Sequence, residues 1–304
     1  MKNSKFDSLK NPLSILTKIV QFCESKDVFE YLINDPSSIR IKSLMKQVAL
    51  SIAIISKKYK AIDILLELGA NLNKSFDIIG SRDILNNIKS FDFQWFTTDE
   101  SDRFVYPFLQ ALFNDDEKMV QYLIQKGYDI HQRFSRNLTI LMKIISLKRI
   151  KHVKYLQLMI NRGVDIELRD DNNYTALEIA IIKNDIESIK CLIQNGKKLN
   201  YFDKKETLES PLTVALWGNN FQIAELLMKH GAKDVLPYHA MENSNIPALR
   251  FIFSKLLDVK TWRNNINMTA LMCAAECAPS TDVLKELINL GADVNEEDEV
   301  GTTP

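Results

Sequence analysis

Apolar residues recur along this chain with the spacing of one helix face, in short stretches that end at a glycine. The stretch that precedes Gly196 consists of Ile186, Ile189, Leu192 and Ile193. Residues three and four positions apart share a face of a helix, so each stretch predicts a short amphipathic helix. A helix cannot bury its apolar face by itself, and neighbouring stretches must therefore pack against each other.

Six segments share an apolar run, a polar pair, a glycine and an extended tail. They are LLELGANLN at 65–73, YLIQKGYDIH at 122–131, LMINRGVDIE at 158–167, CLIQNGKKLN at 191–200, LLMKHGAKDV at 226–235 and ELINLGADVN at 286–295. Glycine adopts the left-handed conformation that ends a helix without strain, so each segment predicts a helix end followed by an extended hairpin. The glycines are 58, 36, 33, 35 and 60 residues apart, and the two wide gaps predict extra sequence.

A second signature lies about 21 residues before several of these glycines. Its clearest copies are NYTALEIA at 173–180, SPLTVA at 210–215 and MTALMCAA at 268–275. A Ser or Thr hydroxyl caps the free amides at a helix start, and proline fits the first helical turn. Each unit is therefore predicted to be helix, turn, helix and hairpin.

The two signatures resemble the Thr-Pro-Leu-His-x-Ala-Ala and Leu-Leu-x-x-Gly-Ala-Asp-Val-Asn motifs of ankyrin repeats, over nearly the whole chain. The resemblance implies an all-α fold, an ankyrin-type α-solenoid of helix-turn-helix-hairpin repeats. It further implies a scaffold or adaptor that binds another protein on its concave groove and hairpin fingers. A repeat array of this kind needs about three or more units to be stable.

The spacing of the motifs predicts the organisation of the chain. We expect a degenerate N-terminal capping repeat at 1–40, an ankyrin-like repeat at 41–73, an aromatic insertion at 74–104, five to six ankyrin-like repeats at 105–300 with one degenerate repeat near 235–265, and the start of a truncated further repeat at 301–304. The degenerate repeat has Asp258 where the glycine is expected. Because the last residues open a motif, an alternative is a targeting arm of a longer enzyme or effector, with catalysis beyond residue 304.

Composition and charge narrow the classes of function. The 39 basic and 39 acidic residues give no net charge, which argues against nucleic acid as a partner. No apolar run reaches the roughly 18 residues of a membrane span, so we expect no membrane insertion. Four scattered cysteines favour a reducing, cytoplasmic compartment over a disulfide framework. The sequence contains no recognisable catalytic triad and no phosphate-binding loop, so we expect neither an enzyme nor a bound cofactor. We also expect a monomer.

The register of the repeats places one group of residues on the hairpin fingers and the groove. These candidate partner-binding residues are Arg169, Asp171, Asn172, Tyr174, Ile182, Lys183, Phe202, Lys204, Lys205, Glu209 and Trp217. Aromatic side chains beside basic ones are typical of interface hot spots. The alternative is that Trp217 fills irregular packing between first helices.

Three further features each have a functional and a structural interpretation. The aromatics Phe76, Phe91, Phe93, Trp95, Phe96 and Phe104 could anchor a partner or cover the groove between flanking repeats. The basic stretch Lys143, Lys148, Arg149, Lys151, His152 and Lys154 could bind phosphate, but a solvated turn offset by nearby acidic residues is favoured. Cys273 and Cys277, one helical turn apart, are expected to be core filler rather than metal ligands.

The hairpin asparagines suggest one more possibility. Asn73, Asn200 and Asn295 resemble those that ankyrin repeats offer to asparaginyl hydroxylases, so the protein could be a substrate for modification.

Overall fold

The computed structural model describes residues 18–23, 25–34, 42–77, 104–147, 152–200, 210–233, 235, 237–298 and 301–304. The chain forms two compact units, Met1–Val164 and Asp165–Pro304.

The first unit consists of helices joined through short turns, with one small β-ladder. After a helical stretch at 18–22, its elements are α1 (Lys26–Asn34), α2 (Lys42–Ile55), α3 (Tyr59–Glu67), β1 (Phe76–Asp77), β2 (Phe104–Val105), α4 (Pro107–Phe113), α5 (Glu117–Gln125), a single 3-10 turn (Ser135–Asn137), α6 (Ile140–Leu147) and α7 (His152–Asn161). Helix α1 packs on both α2 and α3, at the place predicted for the N-terminal capping repeat.

The second unit consists of four helix pairs among the described residues. Its elements are α8 (Ala176–Ile182), α9 (Ile186–Gln194), α10 (Pro211–Trp217), α11 (Phe221–Lys229), α12 (Tyr238–Glu242), α13 (Ile246–Lys255), α14 (Ala270–Cys277) and α15 (Thr281–Asn289). The first helices α8 and α10 pack side by side, as do α12 and α14, and the second helices α13 and α15 do the same.

The first helices begin where the Ser and Thr residues predict. Thr175 and Glu178 form a capping box at the start of α8, in which the Thr175 amide donates to Glu178 Oε2 at 2.8 Å. Ser210 Oγ accepts from the amide of Thr213 at 3.1 Å, and Pro211 occupies the first helical position. The predicted helix starts are confirmed at these positions.

The second helices begin with Asp or Asn side-chain caps, which were not predicted from the sequence. Asp116, Asp185 and Asn245 each accept a hydrogen bond from the amide three residues later. The residue that precedes each cap has a left-handed φ, of 53° at Asp115, for example, and 54° at Asn184. The left-handed position in these turns is therefore not occupied by glycine.

The second helices end as their glycines predict. Gly196 has a φ of +85°, and the five equivalent glycines lie between +84° and +103°. The amide of Lys197, which follows Gly196, returns to the Leu192 carbonyl and closes the helix end.

Gly196 and Gly218 offer a matched pair for testing this backbone requirement. A Cβ on Gly196 would meet no atom within 4 Å, so the cost of Gly196→Ala is strain at positive φ alone, about 1–2 kcal/mol. Gly218 has an ordinary φ of −80°, and its Cβ would approach the movable Asn220 side chain to 3.3 Å and the Ala215 carbonyl only to an ordinary 3.9 Å. Gly218→Ala should therefore change the free energy of unfolding by less than about 1 kcal/mol. Urea denaturation compares the two, and equal effects would contradict the strain argument.

The hairpins of the second unit are tight turns, although extended hairpins are predicted. Asp170 N donates to the Tyr174 carbonyl at 2.9 Å, and Asn264 N donates to the Met268 carbonyl at 3.1 Å. Side-chain oxygens of Asp170 and Asn264 accept from further amides of the same turns. Strand-like pairing in the described part of this unit is limited to one bridge, between Arg263 and Thr269.

Repeats on either side of the predicted insertion stack directly on each other. Helices α2 and α4 are in contact, and Tyr122 of α5 donates to Asp63 of α3 at 2.6 Å. Strands β1 and β2 pair antiparallel, with Phe76 opposite Val105, and so bring the two ends of the insertion together. Residues 78–103, with Phe91, Phe93, Trp95 and Phe96, lie outside the described residues.

Successive repeats of the second unit are also linked through their tails. Asn200 accepts from the amide of Lys233 and donates to the Gly231 carbonyl, both at 2.8 Å. Lys197, whose side chain is fully buried, pairs with Glu167 at 2.5 Å. In the first unit Asn73 accepts from the amide of Asp129 in the same manner. Asn73 and Asn200, considered above as modification sites, therefore hold neighbouring repeats together.

The interpretation of the basic stretch as a solvated turn is wrong for Lys143. Lys143 is 5% exposed and lies over the ring of Phe134. Lys154 of the basic stretch pairs with Asp115 at 2.6 Å and lies near Glu117. Glu167, an acidic residue further along the chain, forms its ion pair with Lys197 instead. The period of the helix turns Lys143 inward, because it occupies the same place in α6 as Ile179 in α8. Lys148, Arg149 and Lys151 lie outside the described residues.

Candidate functional site

The C-terminal ends of the first helices in the second unit form a row of exposed side chains. Ile182 and Trp217 stand seven residues after the capping Thr175 and Ser210, and Glu276 stands seven residues after Thr269. In α12 the corresponding residue, two before the left-handed turn residue, is Glu242. We call Ile182, Trp217, Glu242 and Glu276 the first-helix row. All four are exposed.

Helix phase explains why the apolar members of this row face solvent. Ile181 and Leu216 point into the core and are at most 2% exposed, whereas the next residues, Ile182 and Trp217, are 56% and 37% exposed. A step of one residue turns a side chain by about 100° around a helix, which is enough to leave the packed face. The row thus presents two large apolar side chains from adjacent repeats.

A cleft of about 520 Å³ lies between α10 and α12 and is lined by Trp217, His239, Asn243 and Asn245. The Trp217 and His239 rings meet edge to face with centroids 5.3 Å apart. Asn245 donates to the Leu216 carbonyl at 3.4 Å across the cleft. Helix α12 has only five residues, and its first position carries no side-chain cap, so it fills less space than α10.

A second cleft, of about 450 Å³, lies between the start of α12 and the finger that precedes α14. Its walls come from residues 237–239, 262–266 and 268, and Cys273 and Glu276 also line it. Tyr238 and Ile266 are 47% and 69% exposed. The ring of Phe253 packs against that of Trp262, with the two ring centroids 6.3 Å apart.

His239 lines both clefts and lies 5.3 Å from the Trp217 ring and 6.1 Å from the Tyr238 ring. We call the continuous surface of Trp217, Tyr238, His239, Trp262 and Ile266 the aromatic groove. Large apolar side chains that remain exposed together are typical of interaction sites, since a single surface could bury them on binding.

The groove carries negative charge at one side. Glu242, and to a lesser extent Cys277 and Glu276, raise the pKa of the Tyr238 phenol. Within the described part of the chain, Glu276 makes no ion pair. The groove therefore combines aromatic walls with an acidic border.

The two cysteines of α14 behave as packing residues. Burial raises the pKa of the Cys273 thiol to about 11, and burial also raises the pKa of Cys277. Metal ligation requires a thiolate, and a raised pKa opposes it. Cys273 is 5% exposed and accepts a hydrogen bond from Asn264 at 3.3 Å. These observations favour the core-filler interpretation.

The residues predicted to bind a partner separate into three groups. Arg169, Asp171, Asn172 and Tyr174 lie in the finger before α8, where the Arg169 guanidinium donates to the Asn173 carbonyl and holds the turn. Ile182, Lys183 and Trp217 lie at the ends of α8 and α10 and are exposed. Phe202, Lys204, Lys205 and Glu209 lie outside the described residues.

No motif in the sequence pointed to Tyr238, His239, Trp262 or Ile266. The first two belong to the repeat interpreted as degenerate, where no capping motif fixes the register. Ile266 carries a signal that could have identified it, because it stands at the tip of a finger, between Asn264 and Asn267, where an apolar side chain has no core to enter.

Comparison with known families agrees with this architecture. A family model described as ankyrin repeats (3 copies) matches residues 108–203 and 156–237, and a model of the single ankyrin repeat matches residues 267–299. Together these matches span more than half of the chain. The chain belongs to the ankyrin repeat family.

Individual relatives of this ankyrin repeat chain are distant. An ankyrin repeat protein of fowlpox virus (strain NVSL) is 27% identical over 141 residues, which is 42% of this chain and 41% of the viral protein. The chain thus matches less than half of the length of that relative. The ankyrin repeat domain of Bcl-3, a member of the IkappaB protein family, is similar in structure, with a TM-score of 0.52, 20% identity and coverage of 79% of this chain and 97% of that domain. The human ASB11 ankyrin repeat domain gives a TM-score of 0.46 at 17% identity and covers 65% of this chain and 89% of that domain.

The predicted all-α, ankyrin-type fold is confirmed by the family matches and by the similarity to the Bcl-3 domain. The small β1–β2 ladder at the insertion is an addition to the pattern. Among the described helices, none has both the length and the apolar character needed to cross a bilayer.

Proposed function

We propose that residues 165–304 bind a partner protein through the aromatic groove and the first-helix row. Ankyrin repeats in general are protein–protein interaction modules. The observation that carries the proposal for this chain is the exposure of Ile182, Trp217, Tyr238 and Ile266 along one series of first helices and fingers. Their backbones are fixed by capped helices and hydrogen-bonded turns, so binding orders few new groups.

The predicted finger residues extend this surface. Arg169, Asp171, Asn172, Tyr174 and Lys183 belong to the same repeat as Ile182. Phe202, Lys204, Lys205 and Glu209 follow in the sequence and lie outside the described residues. We propose that they form the margin of the interface, in which mainly polar side chains surround an apolar centre.

The wider proposal is a monomeric, non-catalytic adaptor of the cytoplasm that does not bind nucleic acid and is not inserted into a membrane. The balanced charge and the four free cysteines support it. We also propose the repeat organisation given above, with repeats at 41–73 and 105–300.

Replacing Trp217 by alanine is expected to weaken partner binding strongly without unfolding the protein. A random peptide library displayed on phage and selected on the intact chain supplies the ligands. Hot-spot aromatics contribute about 2 kcal/mol or more to binding, so affinity should fall by about thirtyfold or more in a fluorescence anisotropy titration.

Ile288 provides the control, because it is apolar and 45% exposed but lies on the second helix α15. Ile288→Ala should leave the affinity within about twofold, since isolated surface substitutions have small effects. Thermal melting of both variants separates binding from folding. If Trp217→Ala lowers the melting temperature and the affinity together, Trp217 is a packing residue and the proposed surface is wrong.

A further inference from the structure

The second cleft of the aromatic groove has a distinctive combination of walls and charge. Tyr238 is half exposed and stands next to Glu242 of its own helix. Glu276 of α14 lines the same cleft, on the side of Cys273. A group seated on the Tyr238 ring would therefore be close to two carboxylates.

The two basic residues that line this cleft, Arg263 and His239, each lie close to an acidic side chain. Arg263, in the cleft wall, pairs with Glu296 and donates to the carbonyls of Lys260 and Trp262. His239 Nδ1 lies 3.9 Å from Glu242 Oε2. Glu276 makes no ion pair with any side chain that the structure describes. The negative charge at the border of the cleft is thus only partly compensated within the chain.

We propose that the second cleft binds a protein segment that carries an arginine next to a large apolar residue. The guanidinium lies on Tyr238 and between Glu242 and Glu276, and the apolar neighbour packs on Trp262 and Ile266. This inference rests on the proposed function and specifies the chemistry of the partner.

Arginine suits this cleft better than the other side chains that could enter it. Its guanidinium is planar and weakly hydrated, so it stacks on an aromatic ring while its edge donates to carboxylates. A lysine would provide the charge without the planar edge. An apolar residue alone would bury Glu276 without a partner, which costs free energy. The exposed side chain of Ile266 accounts for the apolar neighbour, because covering it removes apolar surface from water.

The test uses peptides selected on the intact chain in the presence of salt at physiological strength. Arginine, lysine and citrulline versions of the tightest peptide are compared by fluorescence anisotropy. Citrulline keeps the shape and loses the charge, and we expect it to weaken binding about tenfold, as for a hydrogen bond to a charged group. We expect the lysine version to lie between the two.

Variants of the protein test the same contact from the other side. Glu276→Gln should weaken the arginine peptide about fivefold, and this effect should shrink as salt is raised. Glu225→Gln, on the outer face of α11, is the matched control and should change affinity by less than about twofold. Glu276→Lys should reverse the preference, so that a peptide with aspartate in place of arginine binds better than the arginine peptide.

Intrinsic fluorescence provides a second measurement of where the peptide binds. Trp217 and Trp262 line the groove, and Trp95 is the third tryptophan of the chain. In a Trp95→Phe background, binding should change the emission of the two groove tryptophans.

The outcomes separate this inference from the proposed function. Peptides that need Trp217 but bind equally well with citrulline, or with Glu276→Gln, would show that the groove binds protein without an arginine, and the inference would be wrong. If no selected peptide depends on Trp217, both the inference and the proposed function fail.

Discussion

Replacing Leu192 by aspartate is expected to unfold the helix pairs around it rather than one local turn. Leu192 lies in α9 and is completely buried. Removing such a leucine side chain costs about 2–5 kcal/mol, and placing a carboxylate there without a partner adds several kcal/mol more. The sum is comparable with the whole stability of a typical domain, about 5–15 kcal/mol. The far-UV circular dichroism of the variant should show a large loss of helix at 25 °C.

Ile288→Asp is the control for this prediction. Ile288 is also an apolar residue of a second helix, but it is 45% exposed. The charge can remain in water there, so the free energy of unfolding in urea should change by less than about 1 kcal/mol. Full retention of helix by the Leu192→Asp chain would contradict an array in which neighbouring units share one core.

Replacing Glu167 by glutamine is expected to destabilise the second unit by about 2 kcal/mol, as for the loss of a hydrogen bond between charged groups. The side chain of Lys197 is fully buried, whereas that of Glu167 is 32% exposed. Glu167 lies 2.5 Å from the buried ammonium of Lys197 and also accepts from the amide of Lys198 at 2.9 Å. The amide that replaces it has no charge to balance Lys197. Urea denaturation monitored by circular dichroism measures the change.

Two further variants determine whether charge is the cause. Asp282→Asn removes a carboxylate from an ion pair with Lys285 in which both side chains are 70% exposed, and it should cost less than about 1 kcal/mol. Adding Lys197→Met to Glu167→Gln should recover much of the lost stability, because the buried charge is then gone. A double variant no more stable than Glu167→Gln would show that packing or the Lys198 contact dominates.

The sequence predicted those parts of the fold that local chemistry determines. Thr175, Ser210 and Thr269 cap the first helices as expected, and Gly196 takes its left-handed conformation. In each case one residue type is strongly preferred for a single backbone geometry, so the residue itself indicates the structure.

Turns that use ordinary residues were not predictable in this way. Lys57 and Asp115 adopt left-handed φ angles of 57° and 53°, although neither residue type requires it. Helices on both sides impose this conformation. The tertiary structure, rather than the local sequence, determines such positions.

In the candidate site, too, some positions were predictable from the local sequence and others were not. Exposure of Trp217 followed from its phase in α10, since the register was fixed by Ser210. The position of Tyr238 followed from nothing local, because α12 is shortened to five residues and lacks a capping side chain. A gap left by a short helix depends on how its neighbours pack, which a single sequence does not reveal.

The β1–β2 ladder has a consequence for how this protein can diversify. Because Asp77 and Phe104 are paired across the ladder, the two ends of the insertion lie side by side next to α2, and α2 and α4 contact each other. The entropic penalty of a longer excursion rises slowly, by about 0.6 kcal/mol for each doubling of its length. The connection between β1 and β2 can therefore be replaced by segments of very different size and chemistry while the surrounding helices keep their packing.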